Sequence, residues 1–208
     1  PSARLTCIQK PKSPSGPTTS TPTACSSPHG GKGRARCPQR AGSSSIAHRH
    51  KQSPINNTPA VPETIHRFKS AYAANERTIW IREPVDPVRP CNLAIFLDGE
   101  LYRDWVHANS IIDELNAASA ITNTLFVFVS HESMEARWRE CPCYPPFADF
   151  INLELLPWIE KLHPQTKEGR ERILIGLSYT GLAAAFIALR AAKKYTRIIA
   201  QSGSFWSD

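Results

Sequence analysis

Ile173-Leu-Ile-Gly176-Leu-Ser178-Tyr-Thr180-Gly-Leu-Ala-Ala-Ala185 is the stretch on which the reading of this chain turns. The apolar run Arg172–Ile175 predicts a buried strand. Gly176-Leu-Ser178 follows with no intervening loop. The small-residue run after it predicts a helix over Gly181–Arg190. A strand, a sharp turn carrying Gly-x-Ser and an immediate helix make the layout of a nucleophile elbow. Acyl chemistry needs that layout. The turn lifts the serine side chain clear of the sheet, and Gly176 leaves room for strand and helix to approach. The N–H of Tyr179 points at a developing oxyanion, and the helix adds its N-terminal dipole. A serine between strand and helix is equally an ordinary N-cap. One residue departs from the usual pattern: Thr180 stands where the motif commonly has glycine. Its β-branched side chain is expected to crowd the neighbouring strand.

Outward from this stretch, apolar segments alternate with helical ones. Arg77–Ile81 alternates and predicts a strand. Asn92–Leu97 and Thr124–Val129 are continuous apolar runs, and Arg197–Ala200 predicts a fourth parallel partner. Between them, Trp105–Ala118 and Phe147–Leu162 have helical spacing, with Pro157 expected to kink or restart the second. Strands that are apolar on both faces and alternate with helices predict an α/β fold, a mostly parallel sheet covered by helices on both sides. Functional residues gather at the carboxyl ends of such strands. Three polar turns fall there: Asp98-Gly99-Glu100, Ser130-His131-Glu132 and Leu177-Ser178-Tyr179. The first supplies a second oxyanion donor from Gly99 or Glu100.

The chain has 208 residues, and its charge is unevenly spread. Residues 1–60 hold nine of the 25 Lys+Arg, none of the 18 Asp+Glu and nine of the 18 Pro, leaving 16 basic against 18 acidic side chains in residues 61–208. The basic character therefore belongs to the N-terminal stretch. It lacks hydrophobic periodicity and is expected to be a disordered Pro/Ser/Thr-rich tail, followed by a folded domain over residues 61–208. No aromatic residue interleaves with its charges to stack on bases, so no specific nucleic-acid partner is expected. No apolar run is long enough for a signal peptide or a membrane span, and a cytoplasmic location with no membrane partner is expected. The six cysteines form no CxxC pair and no zinc-finger spacing, so they are read as free thiols without a metal.

Several ordered strings now resemble the enterochelin (ferric-enterobactin) esterase family of serine esterases. They are Arg77-Thr-Ile-Trp-Ile81, Leu97-Asp-Gly-Glu100, Arg139-Glu140, Phe147-Ala-Asp-Phe150, Glu154-Leu-Leu-Pro-Trp158, Gly176-Leu-Ser-Tyr179 and Gln201-Ser-Gly-Ser-Phe-Trp206. The resemblance covers about residues 61–208. It implies an α/β-hydrolase fold, here its N-terminal part, and hydrolysis of catecholate siderophore esters without a cofactor. The implied partner is a small-molecule ester, such as a ferric catecholate siderophore. Ser178 matches the family nucleophile. Arg139 matches an arginine that could face a polyanionic catecholate, and it could equally pair with Glu140 or Asp149.

In this fold the triad runs serine, acid, histidine along the chain. After Ser178 there is no histidine, and Asp208 is the sole carboxylate. All seven histidines precede the nucleophile, and His131 alone lies at a predicted strand end near it. The expectation is a serine carboxylester hydrolase whose acid and base lie outside this chain. A degenerate homologue without turnover and an acyltransferase of the same fold are the alternatives. A sheet truncated in this way leaves an unpaired edge, so poor solubility or partner dependence is expected.

Overall fold

The computed structural model describes residues 61–206. The tail expected over residues 1–60 lies outside the described residues. Six strands form one sheet: β1 (Glu63–Ser70), β2 (Asn75–Arg82), β3 (Asn92–Leu97), β4 (Thr124–Val129), β5 (Arg172–Leu177) and β6 (Arg197–Gln201), in the order β1-β2-β4-β3-β5-β6. β4, β3, β5 and β6 run parallel, β2 lies antiparallel to β4, and β1 antiparallel to β2. The sheet is therefore mostly parallel.

Register places β3 at the centre. Ile95 faces Val127 on one side and Leu174 on the other, and all three are fully buried. Period-two alternation divides the strands between two layers. Leu93, Ile95 and Leu97 join a core with Phe147, Phe150, Ile159, Ala184 and Ile187. These come from the helical stretch Pro145–Leu162 and the helix Tyr179–Arg190. Ala94 meets Tyr102, Ala108 and Ile112 on the opposite face. Helices thus cover both faces. In chain order they are α1 (Ala108–Ala117), α2 (Met134–Glu140), α3 (Pro145–Asp149), α4 (Leu156–Leu162) and α5 (Tyr179–Arg190). None of the described helices is long and apolar enough to cross a membrane.

The departures from sequence expectation have local causes. The predicted helix over Trp105–Ala118 starts at Ala108, because His107 adopts φ 55° and breaks the chain from a π-helical turn over Leu101–Trp105. The predicted helix over Phe147–Leu162 is interrupted by a wide π-helical turn, Phe150–Leu155, in which Leu156 N–H reaches back to Ile151 O. Pro157 follows at once in the first turn of α4. Proline has no N–H for an interior helical bond and its ring clashes with the preceding turn, and the widened turn absorbs that clash.

Arg77 anchors β2 to the end of α2. Its side chain is fully buried, donating to Glu140 Oε2 at 2.8 Å, Ser130 O at 3.1 Å and Asn75 Oδ1 at 2.9 Å. The guanidinium also lies 4.9 Å from the Phe150 ring centre. Removing one member of such a pair strands a buried charge, whereas replacing both with apolar groups does not. Arg77→Met is expected to lower unfolding free energy by about 3–5 kcal/mol, and Arg77→Met with Glu140→Leu to recover more than half of it. Urea denaturation of the set measures both; equal losses in single and double variants would contradict the assignment.

Candidate active site

Ser178 joins β5 to α5 with φ 54° and ψ −119°. A side chain in this region costs about 1–3 kcal/mol and persists only where its surroundings impose it. Its own backbone is tied on both sides. Ser178 N–H donates to Gln201 O at 2.9 Å, and Ser178 O accepts from Ser204 N–H at 3.0 Å and Gly181 N–H at 3.1 Å. Gly176 permits the tight turn: a Cβ there would lie 2.1 Å from Thr180 O. Gly181 lets α5 approach the loop after β6, since its Cβ would lie 3.0 Å from Gly203 Cα. Among the described residues, Ser178 Oγ has the buried Ser204 Oγ as its side-chain partner, at 3.3 Å.

The turn after β3 sits beside this elbow, because Phe96 pairs with Ile175 within two residues of the carboxyl ends of both strands. Asp98 is buried there with φ 61°. Arg137 of α2 donates from Nε to both carboxylate oxygens at 2.9 Å and from Nη2 to Oδ2 at 2.7 Å. Burial alone would lower the Arg137 pKa, but its hydrogen bonds to Asp98 and that carboxylate's charge outweigh the effect and hold it above its ordinary value. Thr180 does not merely crowd a strand. Its hydroxyl accepts Leu177 N–H at 2.9 Å and has Asp98 Oδ2 at 3.0 Å and Leu177 O at 2.8 Å as acceptors.

Gly99 packs against β4, where a Cβ would lie 3.0 Å from Val129 N. Glu100 accepts from Ser130 Oγ and from His131 N–H, the latter at 3.1 Å. His131 Nδ1 lies 3.0 Å from Glu100 Oε2 and 3.4 Å from Asp98 Oδ1, without hydrogen-bonding geometry to either. His131 therefore faces the β3 turn. Tyr179 opens α5, and its N–H, at the first helical position, has no intrahelical acceptor. Its ring meets Trp138 edge-on at 4.8 Å and lies 6.5 Å from Trp206, both exposed. Arg139 lies on the outer side of α2, 57% exposed, and donates to Glu140 Oε1 at 3.1 Å.

Arg137, Thr180 and Ser204 were not legible as site residues from the sequence. Their signals are slight: Ser133 N-caps α2 by accepting Ala136 N–H, which sets the phase that turns Arg137 inward.

The likeness to known proteins follows this geometry. The model of the family described as "Putative esterase" matches residues 70–208. The chain belongs to this esterase family. It is 30% identical over 159 residues to the iron(III) enterobactin esterase of Dickeya dadantii, a match covering 73% of this chain and 37% of the relative. The iron(III) enterobactin esterase of Escherichia coli K12 is 26% identical over 151 residues, covering 71% and 37%. Among solved structures, the Shigella flexneri enterobactin esterase determined in the presence of enterobactin superposes with a TM-score of 0.66 at 25% identity, over 72% of this chain and 39% of that one. The Bacillus cereus BES protein shares the fold at 23% identity, with a TM-score of 0.57 over 75% and 65%. The chain spans about two fifths of the length of the enterobactin esterases it matches.

Two outcomes follow for an esterase-family elbow built this way. Gly176→Ala is expected to destabilise the fold by at least about 1–3 kcal/mol, read as a lowered urea midpoint; an unchanged midpoint would contradict the close approach. Cys141, buried at the end of α2, has its thiol pushed up to about 12, first by burial and then by the Asp98 charge. The unfolded thiol ionises near 9.0 while the folded one keeps its proton. Stability should therefore fall above pH 9 by about 1.4 kcal/mol per pH unit for this group. Cys141→Ala should flatten the decline between pH 9 and 10 in urea titrations.

Proposed function

We propose that residues 61–208 are the nucleophile-bearing part of a serine carboxylester hydrolase, with Ser178 Oγ attacking the ester carbonyl. The observation that carries this reading is the strained Ser178 backbone at the carboxyl end of β5, in a chain of the esterase family. The developing oxyanion is held by Tyr179 N–H and by an N–H of Gly99 or Glu100 in the adjoining turn. The N-terminal end of α5 adds its dipole to the same point. A general base must take the Ser178 proton and return it to the leaving alcohol. We place that base, and the acid that orients it, outside the described residues.

The relatives named as iron(III) enterobactin esterases favour a catecholate siderophore ester as substrate. Such a substrate is polyanionic. Arg139, exposed on α2 and engaging Glu140 with one edge of its guanidinium, is proposed to contact it. We assign the protein to the cytoplasm.

Hydrolysis of p-nitrophenyl butyrate tests the chemistry, using the 208-residue chain and the longest reading frame that contains it. Ser178→Ala should lower kcat/KM by about 10³-fold or more. No hydrolysis by the longest frame, or hydrolysis indifferent to Ser178→Ala, would refute the proposal. Arg139→Ala should raise KM for ferric enterobactin about tenfold and leave the nitrophenyl ester unaffected. Equal effects on both esters would remove Arg139 from the substrate site.

A further inference from the structure

We infer that Thr180 is a positioning residue for the nucleophile, its hydroxyl fastening the residue before Ser178 to the buried Asp98–Arg137 pair. The inference rests on the proposed chemistry of Ser178 but concerns a different group.

Thr180 is buried, and a hydroxyl taken from water without partners is costly. This one is engaged both as donor and as acceptor. Leu177 lies two residues beyond the last β3–β5 pair, Phe96 with Ile175, so the ladder no longer serves its N–H on that side. Thr180 Oγ1 takes that N–H at 2.9 Å. The hydroxyl carries one proton, and its acceptors are Asp98 Oδ2 at 3.0 Å and Leu177 O at 2.8 Å. An ionised carboxylate is the stronger acceptor, and it directs the proton toward Oδ2 while the lone pairs face Leu177 N–H. Asp98 cannot follow the threonine if it moves, because Arg137 forks onto both of its oxygens.

The chain of contacts therefore runs from α2 through Arg137 and Asp98 to Thr180, then to the peptide that precedes Ser178. It fixes the elbow from below, while Gln201 and Ser204 hold it from the β6 side. Glycine at this position would leave Leu177 N–H and one Asp98 lone pair unserved. Valine would do the same while keeping the shape. With that fastening gone, Ser178 is free to relax from φ 54° and ψ −119°. Displacement of a nucleophile by a fraction of an ångström lowers the rate of the chemical step and leaves ground-state binding largely intact.

Thr180→Val, Thr180→Ser and the wild type are compared with p-nitrophenyl butyrate in the longest reading frame. Thr180→Val should lower kcat about 10- to 100-fold with KM within about twofold. Thr180→Ser, which keeps the hydroxyl, should remain within about threefold of wild type. If Thr180→Val does not fold, Thr180→Ala replaces it with the same expectation. A variant without the hydroxyl that keeps kcat within about twofold overturns the inference, as does Thr180→Ser falling as far as Thr180→Val. Crystal structures of the same variants give a readout independent of turnover. Ser178 should leave its positive-φ conformation in Thr180→Val and keep it in Thr180→Ser, and an unmoved Ser178 in both overturns the inference. Ser178→Ala is the control that separates the two ideas. Wild-type turnover lost in Ser178→Ala, with Thr180→Val fully active, would leave the esterase reading standing and remove this one.

Discussion

The buried pair of Asp98 and Arg137 is the constraint on which the candidate site depends. Its two members come from different places, the turn after β3 and the helix after β4, and its third partner, Thr180, comes from the helix after β5. Three loops at the carboxyl edge of the sheet are thereby fixed to one carboxylate. Both charges are removed from water, so the pair adds little to net stability compared with an apolar replacement, but losing either partner leaves an unpaired buried charge. That asymmetry makes the arrangement specific. Few rearrangements of the three loops keep both charges satisfied, and the turn geometry around Ser178 is inherited from that restriction.

The parallel core was legible because its strands are apolar on both faces and short. Asn92–Leu97 and Thr124–Val129 coincide with β3 and β4, whose residues meet helices or sheet neighbours at nearly every position. β1 escaped notice for the opposite reason. It is an edge strand, Glu63–Ser70, with Ile65 65% exposed and charged residues alternating with apolar ones. Such a pattern carries little hydrophobic signal, and the strand's apolar link to the core is Phe68, whose ring lies 5.6 Å from that of Phe150 and 5.3 Å from that of Trp158. α2 was missed because it is two turns long, and its inward face holds Arg137 and Glu140 rather than aliphatic residues. Their burial depends on Asp98 and Arg77, two partners far away in sequence.

The same distinction separates what was readable in the site. Gly176-Leu-Ser178 is a local signal, since the turn, the missing Cβ and the following helix are neighbours in the chain. The environment of Thr180 is not local. In the sequence it is a β-branched residue in place of a glycine, and steric reasoning sees only crowding. The compensating contact lies 82 residues away, at Asp98. Arg139 and Arg137 differ by two positions, and on a helix that moves a side chain to another face. A motif quoted as Arg-Glu therefore does not reveal which arginine turns inward.

Backbone strain follows the same edge of the sheet. Each of the four parallel strands is followed within three residues by a non-glycine residue at positive φ: Asp98 after β3, Glu132 after β4, Ser178 after β5 and Ser202 after β6. At about 1–3 kcal/mol apiece, these conformations would not persist in isolation. They are supported by what lies beneath them, a central strand with Leu93, Ile95 and Leu97 fully buried, and by the hydrogen bonds that cross from loop to loop. The strain is gathered at one edge of a rigid sheet, where Asp98 is buried against Arg137 and Thr180 and Ser178 is held by its neighbours' backbone. Under the chemistry proposed for Ser178, this is the edge where an ester carbonyl would meet the serine and two N–H groups at once, and a relaxed set of turns would lay Ser178 back along the strand it ends.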